Sequence, residues 1–160
     1  MRKELTAKMR IELNITPPKS TGQSGKKLTT IGGHAAMFET AESKSVKAMF
    51  YALLKDKRPA KPFSGAIRVN YYYVFPYLKS MSKKLIKQKL VIPKTTKPDY
   101  DNMPKQIQDV MTKLGFWTDD AIIFDGDNLK CYYETPKIVI DIQEVSATDL
   151  TNELKMKGII

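Results

Sequence analysis

The residues best suited to chemistry lie in the second half of the chain, and the first of them are two aspartates and a lysine. Asp99 and Asp101 stand two residues apart, just before a run with helical apolar spacing, and Lys105 follows. Alternate residues of an extended segment point to the same side, so both carboxylates are expected to face one point. Because Lys105 lies four residues after Asp101, its ammonium is expected on the same face once the helix begins.

A second acidic pair, Asp119-Asp120, follows the helical run. Only the tertiary fold can bring Asp120 back to the first pair. Three carboxylates at one point repel each other unless a cation neutralises them. A hard divalent ion prefers oxygen ligands, can activate water and can stabilise a phosphoryl transition state. These residues therefore predict a Mg²⁺ site, in which Mn²⁺ can substitute, that acts on a phosphate.

Helix capping and turn formation are the competing explanations for these aspartates. Aspartate is a common capping residue, so the spacing of Asp99 and Asp101 alone leaves capping and metal binding both open. Asp125 and Asp127 lie in the polar run Asp-Gly-Asp-Asn, and for them turn formation is the preferred interpretation.

Charge divides the chain in two. Up to Thr96 there are 20 Lys and Arg against 5 Asp and Glu, whereas from Lys97 onward there are 7 against 12, within a net charge of +10. A basic part that binds a polyanion and an acidic part that binds cations would give this division. The lysines expected to contact DNA phosphates are Lys19, Lys26 and Lys27, in a basic loop over 17–37, and Lys83, Lys84, Lys87 and Lys89. For the second group, a solvated helix face is an equal alternative.

The length of the chain predicts a single domain over residues 1–160. Its periodicity predicts an α/β fold with helices packed on a small mixed sheet. The aspartates and Lys105 place the expected catalytic core at 97–142. The clearest helix spans 101–115, where Met103, Ile107, Val110, Met111 and Leu114 form an apolar stripe and Trp117 follows as a packing anchor. Further helices are predicted at 40–57, at 80–90 with one apolar side, and from Ser146. Strands are predicted at 10–16, 66–75 (central), 121–124, 129–133 and 137–142, with the polar turn 125–128 joining two of them.

Several classes of protein are disfavoured. The charged N-terminal residues lack the apolar stretch of a signal peptide, and no window is apolar enough to span a membrane. The single cysteine, Cys131, offers no internal disulfide or zinc cluster. His34 has no obvious Ser or Cys partner, which argues against a nucleophilic triad. We therefore expect a cytoplasmic protein without membrane association.

One stretch of the chain resembles a known family. The run Lys97-Pro-Asp-Tyr-Asp-Asn-Met-Pro-Lys105, followed by Asp109, Asp119-Asp120-Ala-Ile-Ile and Lys130, is similar to the signature of the RusA family of Holliday junction resolvases. The resemblance implies metal ligands at Asp99, Asp101 and Asp120, a catalytic lysine at Lys105, and supporting roles for Asp119, Asp109 and Lys130. It also implies Mg²⁺, a homodimer, a four-way junction as substrate, and frequent occurrence in phages. Pro104 departs from the family, which usually has a plain helix former there.

These observations predict a Mg²⁺-dependent endodeoxyribonuclease that resolves four-way junctions by paired symmetric nicks in DNA recombination and repair. A nuclease for flaps or RNA with the same chemistry is one alternative. A DNA-binding protein that no longer cuts is another, although the intact set Asp99, Asp101, Lys105 and Asp120 argues against it.

Overall fold

The computed structural model describes residues 6–19 and 26–160. In chain order its elements are β1 (Lys8–Leu13), β2 (Lys26–Ile31), β3 (His34–Glu39), α1 (Ala41–Leu54), β4 (Ile67–Pro76), α2 (Lys83–Lys87), β5 (Ile92–Pro93), α3 (Met103–Leu114), β6 (Ile123–Asp125), β7 (Asn128–Tyr133), β8 (Lys137–Glu144) and α4 (Ala147–Met156). The main sheet is mixed, in the order β1-β8-β4-β7-β5, with β6 also paired to β4. The predicted α/β architecture with a mixed sheet is therefore confirmed.

Strand β4 lies at the centre of the sheet, as predicted. Its β-branched and aromatic residues alternate between buried and half-buried, which is the period of a strand with one face on a core. The buried face, from Ile67 to Phe75, shares one apolar cluster with Phe50 and Leu54 of α1 and with the stripe of α3. These two helices pack against each other. Helix α3, which carries Lys105 in its first turn, therefore lies on this face of the sheet.

The prediction of helix α3 is confirmed. All five residues of the predicted stripe are buried, and Trp117 is buried with its indole donating to the Thr112 hydroxyl at 2.9 Å. Gly115 ends the helix in a left-handed conformation, with φ 78°, that glycine adopts without strain. The helix begins after a 3-10 turn over Tyr100–Asn102, and neither Asp99 nor Asn102 makes a side-chain capping bond. Capping therefore does not account for Asp99.

The basic loop predicted over 17–37 is wrong from residue 26 onward. Strands β2 and β3 form an antiparallel hairpin, here called the ribbon, which makes its own two-stranded sheet. Gly32 and Gly33, both with positive φ, form the two-residue turn that such hairpins favour. The large side chains of Leu28, Met37 and Phe38 are exposed on it. Residues 20–25 of the predicted loop lie outside the described residues.

The strands predicted at 121–124 and 129–133 are present as β6 and β7, but they do not pair with each other. After a 3-10 turn over Asp120–Ile122, both β6 and β7 pair with β4 in parallel. Helix α3 is thus the crossover that parallel strands require. Gly126, between β6 and β7, lies against β4 so closely that an added Cβ would stand 2.1 Å from the Val69 carbonyl oxygen.

The remaining elements are shorter than predicted or less buried. Helix α2 covers five residues of the predicted eleven. On its predicted apolar side Leu85 and Leu90 are exposed, whereas Met81 is partly buried against the core. The tail forms α4, which Ser146 caps by accepting a hydrogen bond from the Asp149 amide. Cys131 is a free thiol whose pKa is raised by burial. Among the described helices none has the length and apolar character needed to cross a membrane.

Candidate active site

The backbone leading into Asp99 is held by a lysine of strand β7. The Lys130 ammonium donates to the carbonyl oxygens of Thr96 at 2.8 Å and of Pro98 at 2.7 Å. Pro98 itself is buried. Carbonyls that share one charged donor lose much of their freedom, since bonds to ionised groups are the stronger ones. Lys130 therefore positions the segment that carries Asp99, which agrees with a supporting role.

Lys94 fixes the same segment from the other side. Its ammonium lies 4.8 Å from the ring centroid of Phe75 and 4.9 Å from that of Tyr132. It also donates to the Tyr132 hydroxyl at 2.9 Å and to the Thr96 hydroxyl at 2.8 Å. The bond from Lys94 lowers the pKa of Tyr132. The sequence reasoning missed Lys94, because nothing in a lone lysine shows that two rings and a hydroxyl will surround it.

The turn between Asp99 and Asp101 is anchored by Asp127. Tyr100, the residue between the two aspartates, donates its hydroxyl proton to the Asp127 carboxylate. This bond lowers the pKa of Asp127 and raises that of Tyr100. The Asn128 side-chain amide donates to the Tyr100 carbonyl at 3.3 Å. Asp127 also accepts the Asn128 amide at 2.8 Å. The turn-forming interpretation of Asp125 and Asp127 is wrong, because the chain runs from β6 to β7 without reversing and both strands are parallel to β4.

Both aspartates of this turn are exposed to solvent. The Lys97 ammonium makes an ion pair with the Asp99 carboxylate. A side-chain cation therefore already lies beside Asp99, on the outer surface of the molecule. The sequence reasoning did not single out Lys97. Its position two residues before Asp99, on the same side of an extended segment, was the available signal.

Lys105 lies in the first turn of α3 and is exposed, as its proposed action on a phosphate requires. Asp109, one helical turn further on, lies 3.8 Å from the Lys47 ammonium of α1. The contact of Asp109 is therefore with the neighbouring helix. Asp119 caps the 3-10 turn that begins at Asp120, because its carboxylate accepts the Ala121 amide at 2.7 Å.

Asp120 lies at the other end of α3 from Asp99 and Asp101. The turn of Tyr100 docks on Asn128, which pairs with Tyr71, whereas Asp120 comes three residues before Ile123, which pairs with Ile67. Four residues of β4, about 13 Å at the rise of a strand, separate these two anchor points. Helix α3 itself is 12 residues long, or about 18 Å. The chain alone does not return Asp120 to the first pair.

Within the residues that the structure describes, no three His, Cys, Asp or Glu side chains form a group able to hold a metal ion. This fits the separation of Asp120 from the turn. It does not exclude the donor chemistry, because Mg²⁺ is usually held by one or two carboxylates together with waters and substrate phosphates. Asp99 and Asp101, exposed on one anchored turn, are oxygen donors of that kind.

The lysines expected to contact DNA are described in part. Lys19 is exposed, and Lys26 and Lys27 belong to β2, although their side chains lie outside the description. Lys83, Lys84 and Lys87 are exposed on and beside α2. Lys89 is exposed as well, and its ammonium lies 3.2 Å from the Glu134 carboxylate.

Comparison with known proteins finds a match to the family model for endodeoxyribonuclease RusA over residues 15–143. The uncharacterized protein YqaN of Bacillus subtilis (strain 168) is 32% identical over 119 residues, which cover 72% of this chain and 83% of that protein. The crossover junction endodeoxyribonuclease rusA of Lactococcus phage r1t is 44% identical over 52 residues, which cover 32% of this chain and 40% of that protein.

Proposed function

The chain belongs to the RusA family of endodeoxyribonucleases, and on that premise we propose that it is a divalent-metal-dependent nuclease that cuts four-way DNA junctions. The observation that carries the proposal is the turn at Asp99 and Asp101. Lys130 holds the backbone that leads into the turn, and Asp127 holds the Tyr100 side chain within it, while the two carboxylates stay open to solvent. A turn held in this way can present two carboxylates to a cation without moving, and the cation can in turn bind a phosphate.

The residues of the chain divide the work as follows. Asp99 and Asp101 would hold the cation. The Lys97 ammonium, which pairs with Asp99, would then compete with the cation for the same carboxylate. Lys105, exposed on the first turn of α3, stabilises the negative charge that develops on the phosphate. Lys130 and Asp127 keep the turn still while that charge develops.

The cation is Mg²⁺, which Mn²⁺ can replace. When bound, it supplies an activated water and stabilises charge on the phosphate oxygens. The donor set supports this assignment, since carboxylate oxygens are the ligands that hard divalent ions prefer. Removal of divalent ions with a chelator is expected to abolish cutting and to leave DNA binding by the lysines in place.

The proposed enzyme is a homodimer, and the position of Asp120 supports this part of the proposal. Because α3 separates Asp120 from Asp99 and Asp101 within one chain, a second copy related by two-fold symmetry is the simplest source of the third carboxylate. An isologous dimer would give two equivalent sites, and a four-way junction offers two equivalent phosphates. Two matched cuts would then release two duplexes.

DNA affinity comes from the basic part of the chain. The lysines of β2 and those around α2 would neutralise backbone phosphates, and such contacts position DNA without reading its sequence. The related phage protein is a crossover junction endodeoxyribonuclease, and this supports branched DNA as the substrate. A flap or an RNA remains the alternative substrate for the same chemistry.

The test compares a synthetic four-way junction with plain duplex, a flap and an RNA of matched length, each with and without Mg²⁺. We expect paired nicks in the junction only, and only with the ion. Asp101→Asn is expected to lower the rate by at least ~10²-fold while junction binding is kept. Asp125→Asn, which changes a carboxylate paired with Arg68 on the sheet, is the matched control with near-normal rate. Equal cutting of plain duplex would contradict the proposal.

The dimer has a separate test by complementation. Asp101→Asn and Asp120→Asn chains are each expected to be inactive alone. If each site takes Asp120 from the partner chain, a mixed dimer has one site with both changes and one intact site, so mixing restores single nicks in a supercoiled cruciform plasmid. If each site is built within one chain, both sites of the mixed dimer are defective, and mixing restores nothing.

A further inference from the structure

A buried polar side chain follows directly after Lys105. Gln106 is 2% exposed, in a helix whose other buried residues are all apolar. Burying an amide costs free energy unless it is hydrogen-bonded. Its Nε2 donates to the Ser43 hydroxyl of α1 at 3.0 Å, and Ser43 itself is fully buried. An apolar residue at 106 would fill this space without that requirement, so the amide needs an explanation.

The contact continues from Ser43 to the base of the ribbon. The Ser43 hydroxyl donates to the Glu39 carboxylate at 2.9 Å, and Glu39 is the last residue of β3. The same carboxylate oxygen accepts from the Lys47 ammonium at 2.7 Å. These two bonds, that from Lys47 first, lower the pKa of Glu39. The ribbon is thereby joined to α1 at its exit.

The network then returns to α3 one turn later. The Lys47 ammonium lies 3.8 Å from the Asp109 carboxylate. Gln106 and Asp109 are three residues apart and are neighbours on the helix surface. Two residues of α3, one turn apart, are thus linked to the carboxylate of Glu39. Gln106 is linked through Ser43, and Asp109 is linked through Lys47. Such ties resist rotation of α3 about its axis, and that rotation would set where Lys105 points.

We propose that Gln106 is a positioning residue for Lys105, and that it acts by tying the first turn of α3, through Ser43, to Glu39 at the base of the ribbon. The proposal rests on the proposed function, since it assigns to Lys105 an action on the phosphate. The ribbon belongs to the basic part of the chain, and its described side chains from Leu28 to Thr30 and at Met37 and Phe38 are exposed. A displacement of the ribbon would therefore reach the first turn of α3 through Glu39 and Ser43.

The first experiment is a double-mutant cycle with Lys105. Gln106→Met keeps the side-chain volume but has no donor, and it is expected to lower the single-turnover rate on the junction by roughly 10- to 100-fold, as small misplacements do. Binding should change by less than about twofold. In a Lys105→Ala background the same substitution should change the rate by less than about twofold, since groups that act as one are not additive. Equal losses in both backgrounds would overturn the proposal.

Two further variants show whether a loss of rate comes from misfolding. Gln106→Met leaves the Ser43 hydroxyl without its donor, whereas Ser43→Ala together with Gln106→Met removes both partners and avoids an orphaned group. The double variant is expected to fold and to show the same loss of rate. Glu12→Gln, which breaks the 3.5 Å pair with Lys137 on the far edge of the sheet, should change neither rate nor binding.

A measurement without cleavage separates this proposal from the proposed function. Amide hydrogen exchange in the double variant is expected to increase in peptides that cover 34–43 and to stay unchanged in β1 and β8. Unchanged exchange at 34–43 would remove the coupling, whether or not the protein cuts DNA. If the wild-type chain fails to cut a junction but exchange increases as expected, the proposed function fails and the coupling of ribbon and helix stands.

Discussion

Replacing Gly126 by alanine should destabilise the protein more than any other single added methyl group at its described glycines. The new Cβ would lie 2.1 Å from the Val69 carbonyl oxygen and 3.0 Å from its carbon, both of them backbone atoms of the central strand. The strands must therefore move apart. Overpacking of this kind costs about 1–3 kcal/mol. For a chain of this size each kcal/mol lowers Tm by about 2–4 °C, so the expected fall is about 2–12 °C.

The assay is thermal denaturation followed by circular dichroism, with Gly65→Ala as the control. An added Cβ at Gly65 would lie 3.4 Å from the Glu144 side-chain oxygen, which can rotate away, so its Tm should change by less than about 2 °C. The displaced segment also contains Asp127 and, at the start of β7, Asn128, which anchor Tyr100. Cutting by the Gly126→Ala protein should therefore fall below that of the control even well below its Tm. Equal Tm values for the two variants would refute the reasoning.

Three further predictions concern the site and the DNA surface. Lys105→Ala should remove most of the cutting rate and leave Mg²⁺ affinity intact, because its ammonium acts on the phosphate, and a metal titration checks this. Lys130→Met, which leaves the carbonyls of Thr96 and Pro98 without their donor, should lower both Tm and the cutting rate. The control, Lys137→Met, breaks only the pair with Glu12 and should change the cutting rate by less than about twofold. A rate assay on both variants checks this. Replacing the lysines of α2 by alanine should flatten the salt dependence of junction binding by about one log-slope unit per lost phosphate contact, and an unchanged slope would make that segment an ordinary solvated face.

The sequence predicted well wherever one element alone determines the pattern. The stripe of α3 and the alternation of β4 repeat over enough residues for each period to be recognised, and both elements were found within two residues of their predicted bounds. The polar turn predicted within 121–133 was wrong, because two short apolar runs around polar residues look alike whether they pair with each other or with a third strand. The signal that favours the second arrangement was present, since a helix between β4 and β6 is the connection that parallel strands require.

Some residues of the candidate site could likewise be placed from the sequence, and others could not. Asp99 and Asp101 could be placed together from their spacing, because two residues of one extended segment need no tertiary information. Asp120 could not, because its position depends on which way the chain turns after α3. The contacts of Tyr100 with Asp127 and of Gln106 with Ser43 join residues 27 and 63 positions apart, and no local pattern encodes such distances.

The place of β8 in the sheet has a consequence for how the protein is made. β8 lies between β1 and β4, and among the described strands β8 alone joins β1 to the sheet. A ribosome supplies β1 first and β8 last among these strands, so β1 waits for its partner while all the elements between them are made. Pairings over such sequence separations form slowly, and unpaired strand edges promote aggregation in the meantime. A message cut short before residue 137 would thus yield a chain with both β1 and one side of β4 unpaired, a substrate for chaperones and proteases.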